Sequence, residues 1–154
     1  MTVTGDDLRA AMRRFPAGIC VVTVETEGDQ LGITVGSLVS LSLEPPLVGI
    51  SIGRSSTLHS PLREAGRFAV NLLAGDQAAI AQHFARSAPP IALWSGIPKR
   101  APGLIDGALA WLECRVIGEH PAGDHTMFVG EVLTVELGRP GQALVYLEGE
   151  YRPI

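Results

Sequence analysis

Lysine is nearly missing from this chain of 154 residues: Lys99 stands alone, and every other strongly basic side chain is an arginine. With 12 basic against 16 acidic residues the formal charge is −4, and no run of like charge exists to grip a nucleic-acid backbone or an anionic membrane. Cysteine is also scarce. Cys20 and Cys114 lie far apart, neither near a second cysteine or a histidine at ligand spacing, so zinc sites and redox pairs lack support and two buried thiols are expected. No uncharged stretch reaches the roughly 18 apolar residues of a membrane span. The longest near-candidate, residues 30–43, runs into Glu44-Pro45-Pro46. The opening Met-Thr-Val-Thr-Gly-Asp-Asp lacks the basic and apolar blocks of a secretory leader. A soluble cytoplasmic protein is expected.

Several catalytic and nucleotide signatures are absent as well. No two glycines are separated by a single residue, which rules out Gly-x-Gly-x-x-Gly, and Lys99 is followed by Arg100, which rules out Gly-Lys-Ser/Thr. His-Glu-x-x-His is missing, and His59, His83, His120 and His125 are scattered. Any nucleotide must be held by a different fold.

What the chain has is apolar surface. Hydrophobic residues make up 46% against 18% charged, with mean hydropathy +0.25, which excludes disorder and leaves few polar groups to cover a monomer. A subunit interface or an apolar pocket follows. The length matches a single domain spanning residues 1–154, at ~100–200 residues per domain.

Periodicity predicts a short helix over 6–14, stopped by Pro16, then a β-branched run from Gly18 that turns at Glu27-Gly28-Asp29 into Leu31 and Ile33. Further strands are expected over 47–52, 67–72, 109–117, 125–137 and 143–147, the fourth of these interrupted at Gly130, with a turn at Pro121-Ala122-Gly123-Asp124. Helices are expected over 57–64 and 76–85. Residues 87–103 carry four prolines and two glycines and are expected to be irregular. Strands dominate without a βαβ rhythm, so the fold class is mainly β, an antiparallel barrel with a few short flanking helices.

Two polar clusters stand out. Thr34, Ser37 and Ser40 recur every three residues around Gly36, out of step with the two-residue period of a strand, so the chain bends or bulges there. The bend either offers hydroxyls and backbone N–H groups to an anionic or heteroaromatic ligand or forms a small-residue corner satisfied by backbone. The second cluster, Ser51-Ile52-Gly53-Arg54-Ser55-Ser56-Thr57, sets hydroxyls and a guanidinium where a strand passes into a helix. It is either a phosphate site or ordinary capping.

Taken in order, Gly32-x-Thr34-x-x-Ser37-x-x-Ser40-x-Ser42-x-x-Pro45-Pro46-Leu47, Ser55-Ser56-Thr57, Phe68-Ala69-Val70-Asn71-Leu72-Leu73, Gly123-Asp124-His125 and Val129-Gly130-Glu131-Val132 resemble the flavin reductase-like proteins with an FMN-binding split barrel. The resemblance runs through nearly the whole chain, to Tyr151. It implies a homodimeric NAD(P)H:flavin oxidoreductase that reduces FMN or FAD with NADH or NADPH and passes reduced flavin to a separate monooxygenase. A split-barrel flavin carrier or sensor is the alternative. By position, the resemblance places Thr34, Val35, Gly36, Ser37 and Ser40 along the isoalloxazine and ribityl chain. It places Ser51, Ile52, Ser56 and Thr57 near ribityl and phosphate, and has Phe84 and Arg86 close the site. His125 corresponds to the family histidine that meets the nicotinamide, with Tyr151 beside it, and no metal is implied. Gly36 departs from the larger or polar residue the family often carries. Trp94, in the poorly matched segment after Arg86, stacks on a ring ligand or packs at an interface.

Overall fold

A computed structural model describes residues 1–86 and 88–154. Helix α1 (Gly5–Met12) starts where Thr4 caps it: the Thr4 hydroxyl accepts from the Asp7 N–H, and the Asp7 carboxylate takes the Thr4 N–H at 2.8 Å. No residue of α1 is buried. The chain then forms β1 (Ala17–Gly18), β2 (Cys20–Thr26), β3 (Asp29–Val35), β4 (Val39–Leu43), β5 (Pro46–Gly53), α2 (His59–Ala65), β6 (Arg67–Leu72) and α3 (Ala78–Phe84). After it come α4 (Pro90–Leu93), β7 (Lys99–Ala101), β8 (Leu104–Ile105), β9 (Ala110–Ala122), β10 (His125–Leu137), β11 (Leu144–Leu147) and β12 (Glu150–Pro153).

Seven strands form one antiparallel sheet in the order β3-β2-β6-β9-β10-β5-β4. Its edges, β3 and β4, are consecutive in the chain yet unpaired. The sheet nevertheless curls, because one apolar cluster draws Val35 from β3, Val22 from β2, Val70 from β6, Phe128 from β10 and Ile50 from β5. This is a barrel split between β3 and β4. Leu58 and Leu62, the latter from α2, complete that core.

Val21 faces the other way, into a second cluster with Ile19, Leu73, Phe84, Ile105 and Leu144. Strand β2 is therefore buried on both faces, which explains why Cys20 to Val24 is apolar but for Thr23 in place of an alternation. The second core lies beneath α3, α4 and a small sheet of order β1-β11-β12. Cys20 and Cys114 both sit in the first core as free thiols, pushed up to about 12 by burial, with the nearby Glu113 adding to Cys114.

Two sequence expectations are corrected. The proline-rich stretch is not wholly irregular: Pro90 starts α4 at a position where a missing N–H has no helical partner to lose, and Lys99–Ala101 pairs with Leu104–Ile105. The turn expected at 121–124 is tighter, because Ala122 still pairs with His125 and Pro121 with Thr126. Gly123, at φ 62, supplies the left-handed residue of a two-residue connection. Strand β10 does shift register between Val129 and Gly130, at the residue where the sequence interrupts it. There the absence of a Cβ lets Phe68 approach, since a Cβ on Gly130 would lie 2.6 Å from the ring.

Candidate cofactor cleft

Three parts of the chain surround a cleft of about 500 Å³: Leu31 to Thr34 of β3, the Ser55-Ser56-Thr57 turn after β5, and Phe84 to Arg86 together with Ala88, Pro90 and Leu93. That volume lies within the roughly 300–1,000 Å³ usual for small-molecule sites. Local chemistry fixes each wall. Gly32 lets the Phe84 ring lie against β3, because a Cβ there would stand 3.0 Å from both Cδ1 and Cε1 of that ring. The Thr34 hydroxyl donates to the Ala81 carbonyl at 2.6 Å and so ties α3 to the same strand. In the turn, Ser56 N–H donates to Gly53 O at 3.0 Å, and the Ser56 hydroxyl accepts from Leu58 N–H at 3.2 Å.

The far wall is α4, held by three contacts. His83 Nε2 donates to Leu93 O at 2.5 Å, which puts the ring proton on Nε2, since a carbonyl only accepts. Trp94 Nε1 donates to Gln30 O at 2.8 Å, and the Trp94 ring meets Phe84 edge-on at 5.1 Å between centroids. Trp94 therefore braces the cleft from behind, and Lys99 lies 5.9 Å from the centre of its ring.

Of the residues singled out from sequence, Thr34, Ser56, Thr57, Phe84 and Arg86 line this cleft together. Arg86 has no carboxylate within ion-pair distance among the described residues. Val35 and Ile52 turn their side chains into the first core and offer only backbone. Ser37 is engaged across the split: its hydroxyl donates to Ser51 O and accepts from Ser51 N–H, both at 3.0 Å, which zips the β3–β4 connection onto β5. At Gly36 a Cβ would lie 3.2 Å from Ala17 Cβ. Ser40 is exposed on β4, where the register against β5 slips between Ser40 and Ser42.

His125 begins β10 opposite Gly53, two residues before the cleft-lining Ser55. Its Nδ1 lies 2.7 Å from Asp124 Oδ1, and this hydrogen bond is the main cause that holds the Asp124 carboxyl below its usual range. Tyr151 stands in the small sheet, edge-on to Tyr146 at 5.0 Å. Its phenol is pushed up by burial first and by Tyr146 second. The structure thus sets His125 and Tyr151 in separate sheets. Sequence reasoning missed Pro90 and Leu93 as lining residues, although the Pro89-Pro90 step followed by apolar residues carries the signal of a helix start.

Among the described residues no group of three or more His, Cys, Asp or Glu is placed to hold a metal ion. The cleft brings an apolar, aromatic wall together with three hydroxyl residues and Arg86, a lining with room and chemistry for a flat ring carrying an anionic tail. Comparison with known proteins then gives the family: residues 12–154 match the flavin reductase like domain, and the chain belongs to that family. It is 38% identical to an NADH-dependent flavin reductase of Rhodococcus, covering 99% of this chain and 88% of that protein. It is 41% identical to the reductase component of a 4-hydroxyphenylacetate 3-monooxygenase from Thermus thermophilus, covering 94% and 93% respectively. Among solved structures, the NADH:FAD oxidoreductase of Streptomyces globisporus superposes with a TM-score of 0.90 at 34% identity, covering 100% of this chain and 97% of that one.

Proposed function

We propose that this chain is an NAD(P)H:flavin oxidoreductase, with NADH the favoured donor, that reduces FMN or FAD for a separate flavin-dependent monooxygenase. The observation that carries the reading is the cleft itself, whose lining joins Phe84, Pro90 and Leu93 to three consecutive hydroxyl residues and Arg86. A flavin has the matching parts, a planar ring and a phosphorylated chain. When bound it supplies N5 as the acceptor of a hydride from nicotinamide C4. Phe84, Leu93 and Pro90 exclude water from one side of the ring, while Ser55, Ser56, Thr57 and Arg86 hold the phosphate by hydrogen bonds and charge. Thr34, Gly36, Ser37, Ser40 and Ser51 follow the ring and ribityl chain, with Val35 and Ile52 contributing backbone. His125 orients the nicotinamide, and the Tyr151 contact belongs to the same reading.

Hydride transfer asks for two stacked rings at short range more than for a strong acid or base, so a cleft without a catalytic triad suits it. The same reading takes residues 1–154 as one domain, acting in the cytoplasm as a homodimer. Among the described residues no helix is long and apolar enough to cross a membrane. The test is an anaerobic titration with NADH, then NADPH, in a many-fold excess of free FMN or FAD, following the loss of oxidised-flavin absorbance. Catalytic bleaching of the excess is expected. Stoichiometric bleaching would make the protein a carrier, and no bleaching would end the reading.

A further inference from the structure

The tip of the β9–β10 hairpin is fastened to the end of β5 through the backbone, and within the tip one side chain holds its neighbour. In the backbone, His125 pairs with Gly53, and the Arg54 N–H donates to the Asp124 carbonyl at 3.0 Å. In the side chains, Asp124 Oδ1 lies 2.7 Å from His125 Nδ1. A carboxylate only accepts, so this contact requires the proton on Nδ1. The remaining nitrogen, Nε2, faces Gly53: a Cβ there would lie 3.8 Å from Nε2 and 3.9 Å from Cε1. The Nε2 edge of the ring therefore lies beside Gly53, at the start of the turn that lines the cleft.

We propose that Asp124 is a positioning residue that holds His125 in its Nδ1–H tautomer, so that Nε2 presents a lone pair beside Gly53 as an acceptor for the carboxamide N–H of the nicotinamide. The functional half of this rests on the proposed reductase activity and the nicotinamide role of His125. The structural half does not. An unassisted imidazole prefers the proton on Nε2, which would turn the edge facing Gly53 from an acceptor into a donor. A nicotinamide carboxamide would then lose its hydrogen bond or have to turn over. The hydrogen bond also limits rotation of a half-exposed ring about its side-chain torsions, which matters where reacting rings must be held in register. The Arg54 N–H on the Asp124 carbonyl keeps the carboxylate's own backbone in place.

The test reads the tautomer and the kinetics separately. The His125 ring nitrogens are measured by nitrogen-15 NMR on the whole protein at alkaline pH, where imidazoles are neutral. The wild type is expected to show Nδ1 protonated and Nε2 bare. Asp124→Ala is expected to move the proton to Nε2 and to lower kcat/KM for NADH roughly five- to tenfold, the worth of one hydrogen bond, with KM for flavin unchanged. Asp124→Asn, whose amide oxygen still accepts from Nδ1–H, is expected to restore both the tautomer and most of the activity. If Asp124→Ala leaves the proton on Nδ1, or leaves kcat/KM for NADH unchanged while His125→Ala collapses it, the positioning role is overturned. If His125→Ala is itself without effect, the nicotinamide role of His125 fails, and the NMR result still decides whether Asp124 sets the tautomer.

Discussion

Phe84 shows how much of the cleft hangs on single atoms. Its ring is 1% exposed and lies where a Cβ on Gly32 would stand at 3.0 Å, so the wall exists because residue 32 has no side chain. Gly32→Ala is expected to push the ring aside, to destabilise the fold by about 1–3 kcal/mol as overpacking does, and to weaken flavin binding. Thermal melting and a flavin titration check both, and unchanged flavin affinity would take Phe84 out of the site. The buried thiols bear on stability at high pH. Cys20 and Cys114 are each raised from 9.0 to about 12, so both stay protonated in the fold while an unfolded chain ionises them from pH 9 upward. A raised pKa contributes stability that is whole below the unfolded value and is lost as pH climbs through the folded one. Denaturant midpoints are therefore expected to fall between pH 9 and 12, and Cys20→Val to flatten that fall. An equally steep decline in the variant would place its cause elsewhere.

At the level of elements, the strand pattern was readable where side chains alternate or branch. Arg67–Leu72 and His125–Leu137 coincide with the strands expected from sequence, and the expected bend after Thr34 is the gap between β3 and β4. The stretch 87–103 was legible only as a break, because the order seen over 88–103 comes from distant partners. Trp94 finds the Gln30 carbonyl and the Phe84 ring, and His83 finds Leu93, none of which a local pattern encodes. Hydroxyl roles were equally hidden. Thr34 and Ser37 belong to a polar cluster in sequence, yet one ties down α3 and the other zips β5, a division that depends on which strand each meets. Because α4 is a cleft wall held from behind, Trp94→Phe tests the element more cleanly than any lining residue. It keeps an aromatic ring beside Phe84 while removing the bond to Gln30 O, a loss of about 1 kcal/mol, together with part of the indole's packing. KM for flavin is expected to rise several-fold with kcat near the wild-type value. A lower melting temperature with KM unchanged would make α4 mere packing.

The molecule as a whole leaves a good deal of apolar surface uncovered. On the edge strand β4, Val39, Leu41 and Leu43 are 41%, 48% and 87% exposed. A free sheet edge bearing large apolar side chains is the kind of surface soluble proteins normally blunt with charge or cover with another chain. The composition points the same way, since a formal charge of −4 spread over 154 residues gives little repulsion to oppose self-association. A second copy laid against this face would bury the three side chains at once. Light scattering is accordingly expected to return the mass of two chains at assay concentration. Leu41→Lys places a charge over β5, because Leu41 Cδ1 would lie 3.1 Å from a Cβ on Gly49, and at 48% exposure it disturbs little of the chain's own core. It is expected to yield a monomer with an unchanged circular dichroism spectrum. A wild-type monomer with full reductase activity would defeat the dimer outright, and a dimeric Leu41→Lys variant would move its interface away from β4.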